Sequence, residues 1–302
     1  MSEQDANFKS GFVGLAGVPN AGKSTLMNRL VGQKVSITSK APQTTRHRIA
    51  GILTNERMQA IFVDVPGILA TQEKFNTRLV DCARDSLRGC DLILHMRTAE
   101  SHGRANDTEV IETLRGIKVP VWQVWNKMDL GQPIPDSERE QRPLDYSQIL
   151  FVSAKTGRGL PALLDAIAVA LPEGPALYPE DDLSDRNLRF LCAELVREQI
   201  FRHLRQEVPY GVATLTEGWD EGDSGGLIHV EIVIQTERDT HKGMIIGSKG
   251  SMLKKIGTEA RKEIESLCGR RVFLELRVRV RPKWRKSELE LKRLGLDWSD
   301  TG

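Results

Sequence analysis

The sequence has 302 residues, 39% of them hydrophobic and 5% aromatic, and a formal net charge of +2. A chain of this length is typical of two domains, because a single core seldom extends beyond roughly 250–300 residues. No apolar run approaches the roughly 18 residues of a membrane-spanning helix, and the polar start MSEQDANFKS holds no signal core. The cysteines lack the CxxC spacing of a metal site, so we expect reduced thiols in a cytoplasmic protein; they are Cys82, Cys90, Cys192 and Cys268.

The first 171 residues, predicted to be one domain, alternate short apolar segments with amphipathic ones. This alternation predicts an α/β domain whose mostly parallel, doubly wound sheet has helices on both faces. The predicted strands are 11–16, 60–65, 91–96, 119–125 and 149–153, and the predicted helices are 75–88, 107–114 and 160–171.

The segment GVPNAGKS, residues 17–24, directly follows the first predicted strand and matches the phosphate-loop pattern G-x-x-x-x-G-K-[ST]. Gly17 and Gly22 let the backbone amides turn toward phosphate oxygens, at the positive end of the next helix. Lys23 can reach the β- and γ-phosphates, and the Ser24 hydroxyl can bind Mg²⁺. The predicted phosphate-binding residues are Gly17, Val18, Pro19, Asn20, Ala21, Gly22, Lys23, Ser24 and Thr25.

Two further segments belong to the same predicted site. Asp64 and Gly67, in DVPG, end the second predicted strand, where Asp64 can hold Mg²⁺ through water and the Gly67 amide can contact a γ-phosphate. Upstream, the polar loop APQTTRHR at 41–48 offers Thr44 and Thr45, and we expect one of them to close over Mg²⁺ and the γ-phosphate. The loop would then order with a bound triphosphate and relax after hydrolysis.

The sequence NKMD, residues 126–129, predicts that the bound base is guanine. The Asp129 carboxylate can accept hydrogen bonds from N1–H and the exocyclic amine of guanine together, a donor pair that adenine lacks. The sequence SAK after the next strand offers a backbone amide to guanine O6. These residues favour GTP and GDP and disfavour an ATP-using phosphotransferase. The predicted base-binding residues are Asn126, Lys127, Asp129, Ser153, Ala154 and Lys155.

Residues 172–183, PEGPALYPEDDL, are rich in proline and acidic residues and are predicted to be a linker. Residues 184–302 follow the order α-β-β-α-α-β, which predicts a smaller α+β domain with a C-terminal helix. Its predicted helices are 185–205 and 252–267, its predicted strands are 211–217, 227–235 and 270–280, and a loop is predicted at 218–226.

The glycine- and lysine-rich stretch MIIGSKGSMLKKIG, residues 244–257, is no second phosphate loop, because it lacks G-K-[ST]. A G-x-x-G loop instead lets the backbone approach about four nucleotides closely. Residues 242–286 hold 14 basic and 4 acidic residues, and this net charge of +10 suits a polyanion. A solvated basic helix without a partner is the alternative. The predicted nucleic-acid-binding residues are Gly247, Ser248, Lys249, Gly250, Lys254 and Lys255, with Ile245, Ile246 and Val233 in an apolar groove for unstacked bases.

The nucleotide-site segments occur in an order that resembles the P-loop GTPases of the translation-factor class, and GxPNxGKST, QTTRHR and DVPG are similar to the Era branch. The second domain resembles a type II KH domain, and its TEARKEIE and VFLELRVRV are also similar to Era, so the resemblance spans about residues 8–296. It implies an enzyme that hydrolyses GTP to GDP and phosphate. It also implies a KH domain that binds small-subunit ribosomal RNA near its 3′ end and assists maturation of the immature small subunit.

The resemblance also implies roles for single residues. In Era relatives the second threonine of the pair contacts the metal, so the expected Mg²⁺ ligands are Ser24, Thr45 and Asp64. Residue 68 is isoleucine where Ras-like enzymes carry the glutamine that orients water, so hydrolysis is arranged differently. Related GTPases suggest that Asn20 helps to hold a K⁺ ion. The expected catalytic residues are Lys23, Thr45, Gly67 and Asn20.

Two alternatives to this function are considered, and one residue departs from the Era pattern. An RNA-binding assembly chaperone with a mainly structural GTP site is disfavoured by the intact Ser24, Thr45 and Asp64. Peripheral contact of the basic surface with a membrane is left open. In Era relatives the residues after DLIL are usually apolar and are followed by an acidic residue, whereas this chain has HMRTAE. We expect Arg97 in this segment to be a surface replacement rather than a change in local packing.

Overall fold

The computed structural model describes residues 8–39, 41–69, 71, 74–101, 105–131, 143–222 and 226–296. The chain divides into two compact units, Met1–Asp185 and Arg186–Gly302. The fold class predicted from the sequence, a mostly parallel α/β domain followed by an α+β domain, is confirmed.

In the described part of the first unit, six strands form one sheet in the order β2-β3-β1-β4-β5-β6. All neighbouring strands are parallel except β2 and β3. The strands are β1 Lys9–Ala16, β2 Ile49–Thr54, β3 Met58–Asp64, β4 Leu92–Arg97, β5 Val121–Trp125 and β6 Gln148–Phe151. The helices are α1 Lys23–Val31, α2 Lys74–Arg88, α3 Ala105–Arg115 and α4 Leu160–Ala170.

The carboxyl ends of the parallel strands lie at one edge of this sheet, which is where ligands bind in open α/β folds. The phosphate loop follows β1, the DVPG segment begins at the end of β3, NKMD follows β5 and the SAK segment follows β6. The sheet topology therefore brings four separate sequence motifs to one edge.

Strand β2 was missed by the sequence reasoning. Its residues Ile49–Thr54 pair with β3 in antiparallel register through a tight turn. The side chain of Asn55 accepts hydrogen bonds from the amides of Arg57 and Met58, which is how an asparagine stabilises a turn. The sequence of β2 does not alternate between apolar and polar residues, because Ile49, Ala50 and Ile52 are all buried.

Residues 172–185 run beside the edge of the first unit. The side-chain oxygen of Gln59 accepts hydrogen bonds from the amides of Leu177 and Tyr178. The amide of Ile52 donates to Leu183, and Tyr178 packs against the buried cluster of Ala50, Ile52 and Ile61. The domain limits at residues 171 and 183 stay predictions, whereas the contacts show that this segment is held by the first unit.

The second unit has a sheet in the order β7-β8-β9, with β7 and β8 antiparallel and β8 and β9 parallel. Its strands are β7 Val212–Asp220, β8 Ile228–Thr236 and β9 Val272–Val280, and its helices are α5 Leu188–His203, α6 Asp239–Ile246, α7 Ser251–Cys268 and α8 Glu288–Arg293. The predicted loop at 218–226 starts too early, because Gly218, Trp219 and Asp220 still pair with β8. Trp284, fully buried, donates its indole N–H to the carbonyl of Gly211 and fixes the chain before α8.

Candidate nucleotide site and nucleic-acid loop

The phosphate loop has the backbone form that the sequence pattern demands. Gly22 has φ 96°, a conformation that disfavours any side chain, and an added Cβ would overlap Nδ2 of Asn126. Helix α1 begins at the next residue, Lys23, and the first helical hydrogen bond runs from Leu26 N to Gly22 O at 2.9 Å. The amino end of α1, with its partial positive charge, therefore faces the loop that should hold phosphate.

Lys23 lies inside this loop. Its ammonium donates to the carbonyl oxygens of Gly17 at 3.0 Å and Val18 at 3.2 Å. Burial lowers the pKa of Lys23 to about 8, partly offset by the nearby carboxylate of Asp64. A phosphate anion in the loop would favour the charged form further, so Lys23 is placed to bind phosphate with its charge.

Three oxygen-bearing side chains meet beside Lys23. The Ser24 hydroxyl donates to Oδ2 of Asp64 at 2.5 Å, and Ser24 Oγ lies 3.1 Å from Thr45 Oγ1. Asp64 is fully buried, and its Oδ1 has no hydrogen-bond partner among the described residues. Burial raises the pKa of Asp64, against the opposing effects of Lys23 and of the hydroxyl donors.

This donor set fits Mg²⁺, which prefers hard oxygen ligands and usually keeps several waters. A buried carboxylate oxygen without a partner is the kind of acceptor that a metal-bound water would satisfy. Ser24, Thr45 and Asp64 are the residues that would hold the ion. Thr44 points elsewhere, because its hydroxyl bonds to Ala41 O at 2.9 Å and to Ser39 Oγ at 2.7 Å.

The DVPG segment passes close to the phosphate loop. A Cβ on Gly67 would lie 2.8 Å from the backbone nitrogen of Pro19, so only glycine fits there without a shift. The amide of Ile68 donates to Gly17 O at 3.3 Å, and the Ile68 side chain is fully buried. Position 68 thus contributes to the core of the domain and presents no group to a water molecule.

Asn126 links the phosphate loop to the base-binding segments. Its side-chain amide donates to Ala21 O at 2.8 Å, and its side-chain oxygen accepts from the amide of Ala154 at 3.0 Å. Asp129 is exposed, and its Oδ1 accepts from the Ser153 hydroxyl at 2.7 Å, which lowers the pKa of Asp129. A charged, accessible carboxylate held by a serine is suited to the N–H pair of guanine.

The other predicted residues lie around these contacts. Lys127 has φ 63°, and its ammonium forms an ion pair with Glu100 at 3.2 Å. Glu100 lies outside the sequence motifs and was not predicted as a partner. Asn20 has φ 64° and is exposed at the tip of the loop. Val18 is buried, Pro19 is half-buried, and Thr25 and Lys155 are exposed, as Asn20 is.

Arg97 is buried, so the expectation of a surface replacement is wrong. Only 1% of Arg97 is exposed; its guanidinium donates to Asp107 on α3 and lies 5.1 Å from the ring centre of Trp125. Asp107 also faces His95, whose Nδ1 lies 2.9 Å from the hydroxyl of Tyr146. A positive charge is tolerated at this strand end because Asp107, ten residues later, supplies a counterion inside the core.

The G-x-x-G loop of the second unit joins α6 to α7. Gly247, Lys249 and Gly250 have φ values of 71°, 50° and 79°, and a Cβ on Gly247 would lie 2.9 Å from the nitrogen of Met252. The predicted contact residues that are exposed on the loop and the first turns of α7 are Ser248, Lys249, Lys254 and Lys255. The loop therefore combines tight backbone with accessible ammonium groups.

The predicted apolar groove needs correction. Ile245 is fully buried and Val233 is 2% exposed, so both side chains belong to the core and cannot touch a base in this conformation. Ile246 is half-buried, and Met244, which the sequence reasoning did not select, is 55% exposed. Helical spacing explains the result, since adjacent residues at the end of α6 point to different sides.

Comparison with known proteins agrees with both domains. Residues 12–127 match the family described as 50S ribosome-binding GTPase, and residues 207–285 match the KH domain family. The chain is 44% identical to the GTPase Era of Geobacter metallireducens over 96% of this chain and 99% of that protein. It is 45% identical to the GTPase Era of Lactobacillus helveticus over 97% of this chain and 98% of that protein.

Solved structures give the same result. A crystal structure of Era in complex with MgGDPNP and nucleotides 1506–1542 of 16S ribosomal RNA has a TM-score of 0.89 at 36% identity, and covers 96% of this chain and 99% of that one. The chain is thus a P-loop GTPase, with a GTPase domain followed by a KH domain. It belongs to the Era family of GTPases.

Proposed function

We propose that this chain is a GTP-hydrolysing switch that binds small-subunit ribosomal RNA near its 3′ end through its KH domain. In this role it assists maturation of the immature small ribosomal subunit. The proposal rests on one observation above all: the complete nucleotide site and the G-x-x-G loop occur in a chain that matches, along nearly its whole length, an Era solved with MgGDPNP and nucleotides 1506–1542 of 16S ribosomal RNA.

The nucleotide site supports hydrolysis by positioning and by charge. Lys23 and the amides of the phosphate loop would bind the β- and γ-phosphates and stabilise the negative charge that shifts during cleavage. A bound Mg²⁺ would supply positive charge that offsets the negative charge of the phosphates. Ser24, Thr45 and Asp64 would hold the ion, and the Gly67 amide would contact the γ-phosphate.

The attacking water needs a different arrangement from that of Ras-like enzymes, because Ile68 is buried in the core. We propose that Asn20, at the tip of the phosphate loop, helps to hold a K⁺ ion. A cation there would offset charge on the transferring phosphate, as an arginine finger does in other GTPases.

The base would be read by Asp129, with Ser153 holding its carboxylate and a backbone amide of the SAK segment, residues 153–155, offered to guanine O6. Asn126 and Lys127 would keep this segment in place. Because the Asn126 side chain bonds to both Ala21 and Ala154, the phosphate and base contacts would form together.

In the KH domain, we propose that the backbone from Gly247 to Gly250 approaches the RNA closely, while Lys249, Lys254 and Lys255 bind phosphates. Ile246 would face the bases, together with the exposed Met244. Ile245 would act from inside the domain by supporting the end of α6.

Multiple-turnover phosphate release from GTP, with and without a small-subunit rRNA 3′-end fragment, tests the enzymatic role. We expect turnover that requires Mg²⁺ and changes with RNA. Binding of GTP without turnover, together with RNA binding that ignores the nucleotide, would support the alternative of an assembly chaperone with a structural GTP site.

Among the helices that the structure describes, none has the length and apolarity needed to span a membrane. A cytoplasmic location follows from the proposed work on ribosomal subunits. Peripheral contact of the basic KH surface with a membrane is a separate proposal, which sedimentation with anionic lipid vesicles would test.

A further inference from the structure

Ser36 lies deep in the first unit, in the segment between α1 and the threonine pair, and no motif singles it out. Only 2% of the residue is exposed. Its hydroxyl donates to Oδ2 of Asp64 at 2.9 Å, the oxygen that also accepts from Ser24. Two serines from different parts of the chain therefore bond to one oxygen of one carboxylate.

The backbone of Ser36 is fixed by a side chain of α1. Oδ1 of Asn28 accepts hydrogen bonds from the amides of Val35 at 3.0 Å and Ser36 at 2.9 Å. Nδ2 of the same asparagine donates to the carbonyl of Ser36 at 2.6 Å. Helix α1 begins at Lys23, so one helix carries the phosphate-binding lysine, Ser24 and the asparagine that fixes Ser36.

The arrangement decides which oxygen of Asp64 remains available. A hydroxyl donates one proton, and Ser36 and Ser24 both donate theirs to Oδ2. Ser24 can still offer a lone pair to a metal while donating to Asp64. Oδ1 is left without a partner among the described residues and faces no competition for a metal-bound water.

We propose that Ser36 is a positioning residue of the magnesium site: it fixes the rotation of the Asp64 carboxylate so that Oδ1 stays available to a water on Mg²⁺. This inference rests on the proposed GTPase function, in which Ser24, Thr45 and Asp64 hold Mg²⁺. Residues that orient metal ligands in this way often affect metal affinity by about 10–100-fold.

The Mg²⁺ dependence of GDP binding by the full chain tests this role, measured with fluorescent methylanthraniloyl-GDP. In EDTA, Ser36→Ala should bind GDP within about twofold of the unchanged protein, because Ser36 touches no phosphate-binding group. The Mg²⁺ concentration that half-saturates the gain in GDP affinity should rise about tenfold or more. Ser39→Ala is the matched control, since Ser39 bonds to Ala41 and Thr44 and should leave that concentration unchanged.

Each result has one meaning. An unchanged Mg²⁺ requirement in Ser36→Ala, or an equal loss of GDP affinity with and without Mg²⁺, overturns the positioning role. If Ser36→Ala does not fold, Ser36→Cys replaces it, because a thiol fills the place of the hydroxyl with a somewhat larger atom and donates only weakly. A Ser36→Cys variant with the Mg²⁺ requirement of the unchanged protein would also overturn the role. If the unchanged protein itself bound GDP equally with and without Mg²⁺, the proposed magnesium site would fail, and this inference with it.

Discussion

Arg97 and Asp107 form an ion pair inside the first unit, with 1% and 2% of the two residues exposed. Arg97 sits at the end of β4, and its carbonyl accepts the amide hydrogen of Asn126 at 2.8 Å. The pair thus lies one backbone hydrogen bond away from the base-binding segment. We expect the Arg97–Asp107 pair to affect both the stability of the first unit and the way that this stability changes with pH.

Removing one partner of this pair should destabilise the first unit by roughly 3–5 kcal/mol, since the remaining charge stays buried. We expect this loss in Arg97→Met and in Asp107→Leu, but a much smaller loss in the double variant, which buries no unpaired charge. Urea unfolding followed by tryptophan fluorescence measures the effect. Arg115→Met breaks an exposed pair with Glu112 and is the control, with an expected loss below about 1 kcal/mol. Additive losses in the double variant would contradict this account.

The same pair should make stability depend on pH. Burial alone would raise the pKa of Asp107, but the nearby His95 and the hydrogen bond and charge of Arg97 outweigh it, so the pKa lies below its ordinary value. A carboxyl with a lowered folded pKa stabilises the fold fully above the unfolded pKa of about 3.9 and loses this effect as the pH falls through the folded value. The stability difference between the unchanged protein and Asp107→Asn should therefore be constant from neutral pH to about 5 and shrink below about 4. Urea unfolding at several pH values measures it, and a difference that grew on acidification would contradict the assignment.

Asp129→Asn should change base preference from guanine to xanthine. The side-chain amide of asparagine can donate a hydrogen bond to the O2 oxygen of xanthine. Guanine has an amine at that position, so two hydrogen-bond donors would face each other. Binding of GDP and XDP, measured separately, should show a loss for GDP of at least about a hundredfold and a gain for XDP. Ser153→Ala, which removes only the hydrogen bond to Asp129, should weaken GDP without favouring XDP. An unchanged preference in Asp129→Asn would refute the role of Asp129.

GTP hydrolysis should be faster in K⁺ than in Na⁺ at equal ionic strength, by at least about tenfold, if a cation at Asn20 offsets charge in the transition state. Asn20→Ala should remove the difference while changing GDP affinity little. Single-turnover rates with GTP in each salt give the comparison. Equal rates in both salts for the unchanged protein would show that Asn20 holds no catalytic cation.

Replacement of Lys254 and Lys255 by alanine should weaken RNA binding and its dependence on salt. Each phosphate contact to a single strand contributes about −0.7 to the slope of log affinity against log salt concentration, so the double variant should lose up to about 1.4 in slope. Fluorescence anisotropy with an RNA from the 3′ end of small-subunit rRNA, between low and high salt, measures this. Lys118→Ala changes an exposed lysine of the first unit and should leave the slope as it was. If the double variant kept the full slope of log affinity against log salt concentration, Lys254 and Lys255 would not contact the RNA phosphates.

The sequence predicted the parallel sheet because each of its strands is a short apolar run, and most of these runs end at a recognisable motif. It missed β2, whose residues are buried on both faces and lack the alternation of an edge strand. It placed Arg97 at the surface because the counterion, Asp107, lies on another element and no local pattern pairs them. It also missed Ser36, whose role depends on a hydrogen bond across 28 residues of sequence.

The KH loop shows a finer limit of the same kind. Its glycines and lysines were found from spacing and charge, which are local properties. Which of Met244, Ile245 and Ile246 faces outward depends on how α6 is rotated against the sheet, and packing decides that rotation. Two neighbouring isoleucines of equal hydrophobicity therefore differ in exposure.

The close approach of Asn126 to Gly22 has a consequence for the size of the ligand. The loop for phosphate and the segments for the base are hydrogen-bonded to each other through the Asn126 side chain, so a displacement of one would strain its bond to the other. A guanosine monophosphate, which lacks the β- and γ-phosphates, would keep the contacts to the base but leave Lys23 without the phosphates that it is placed to bind.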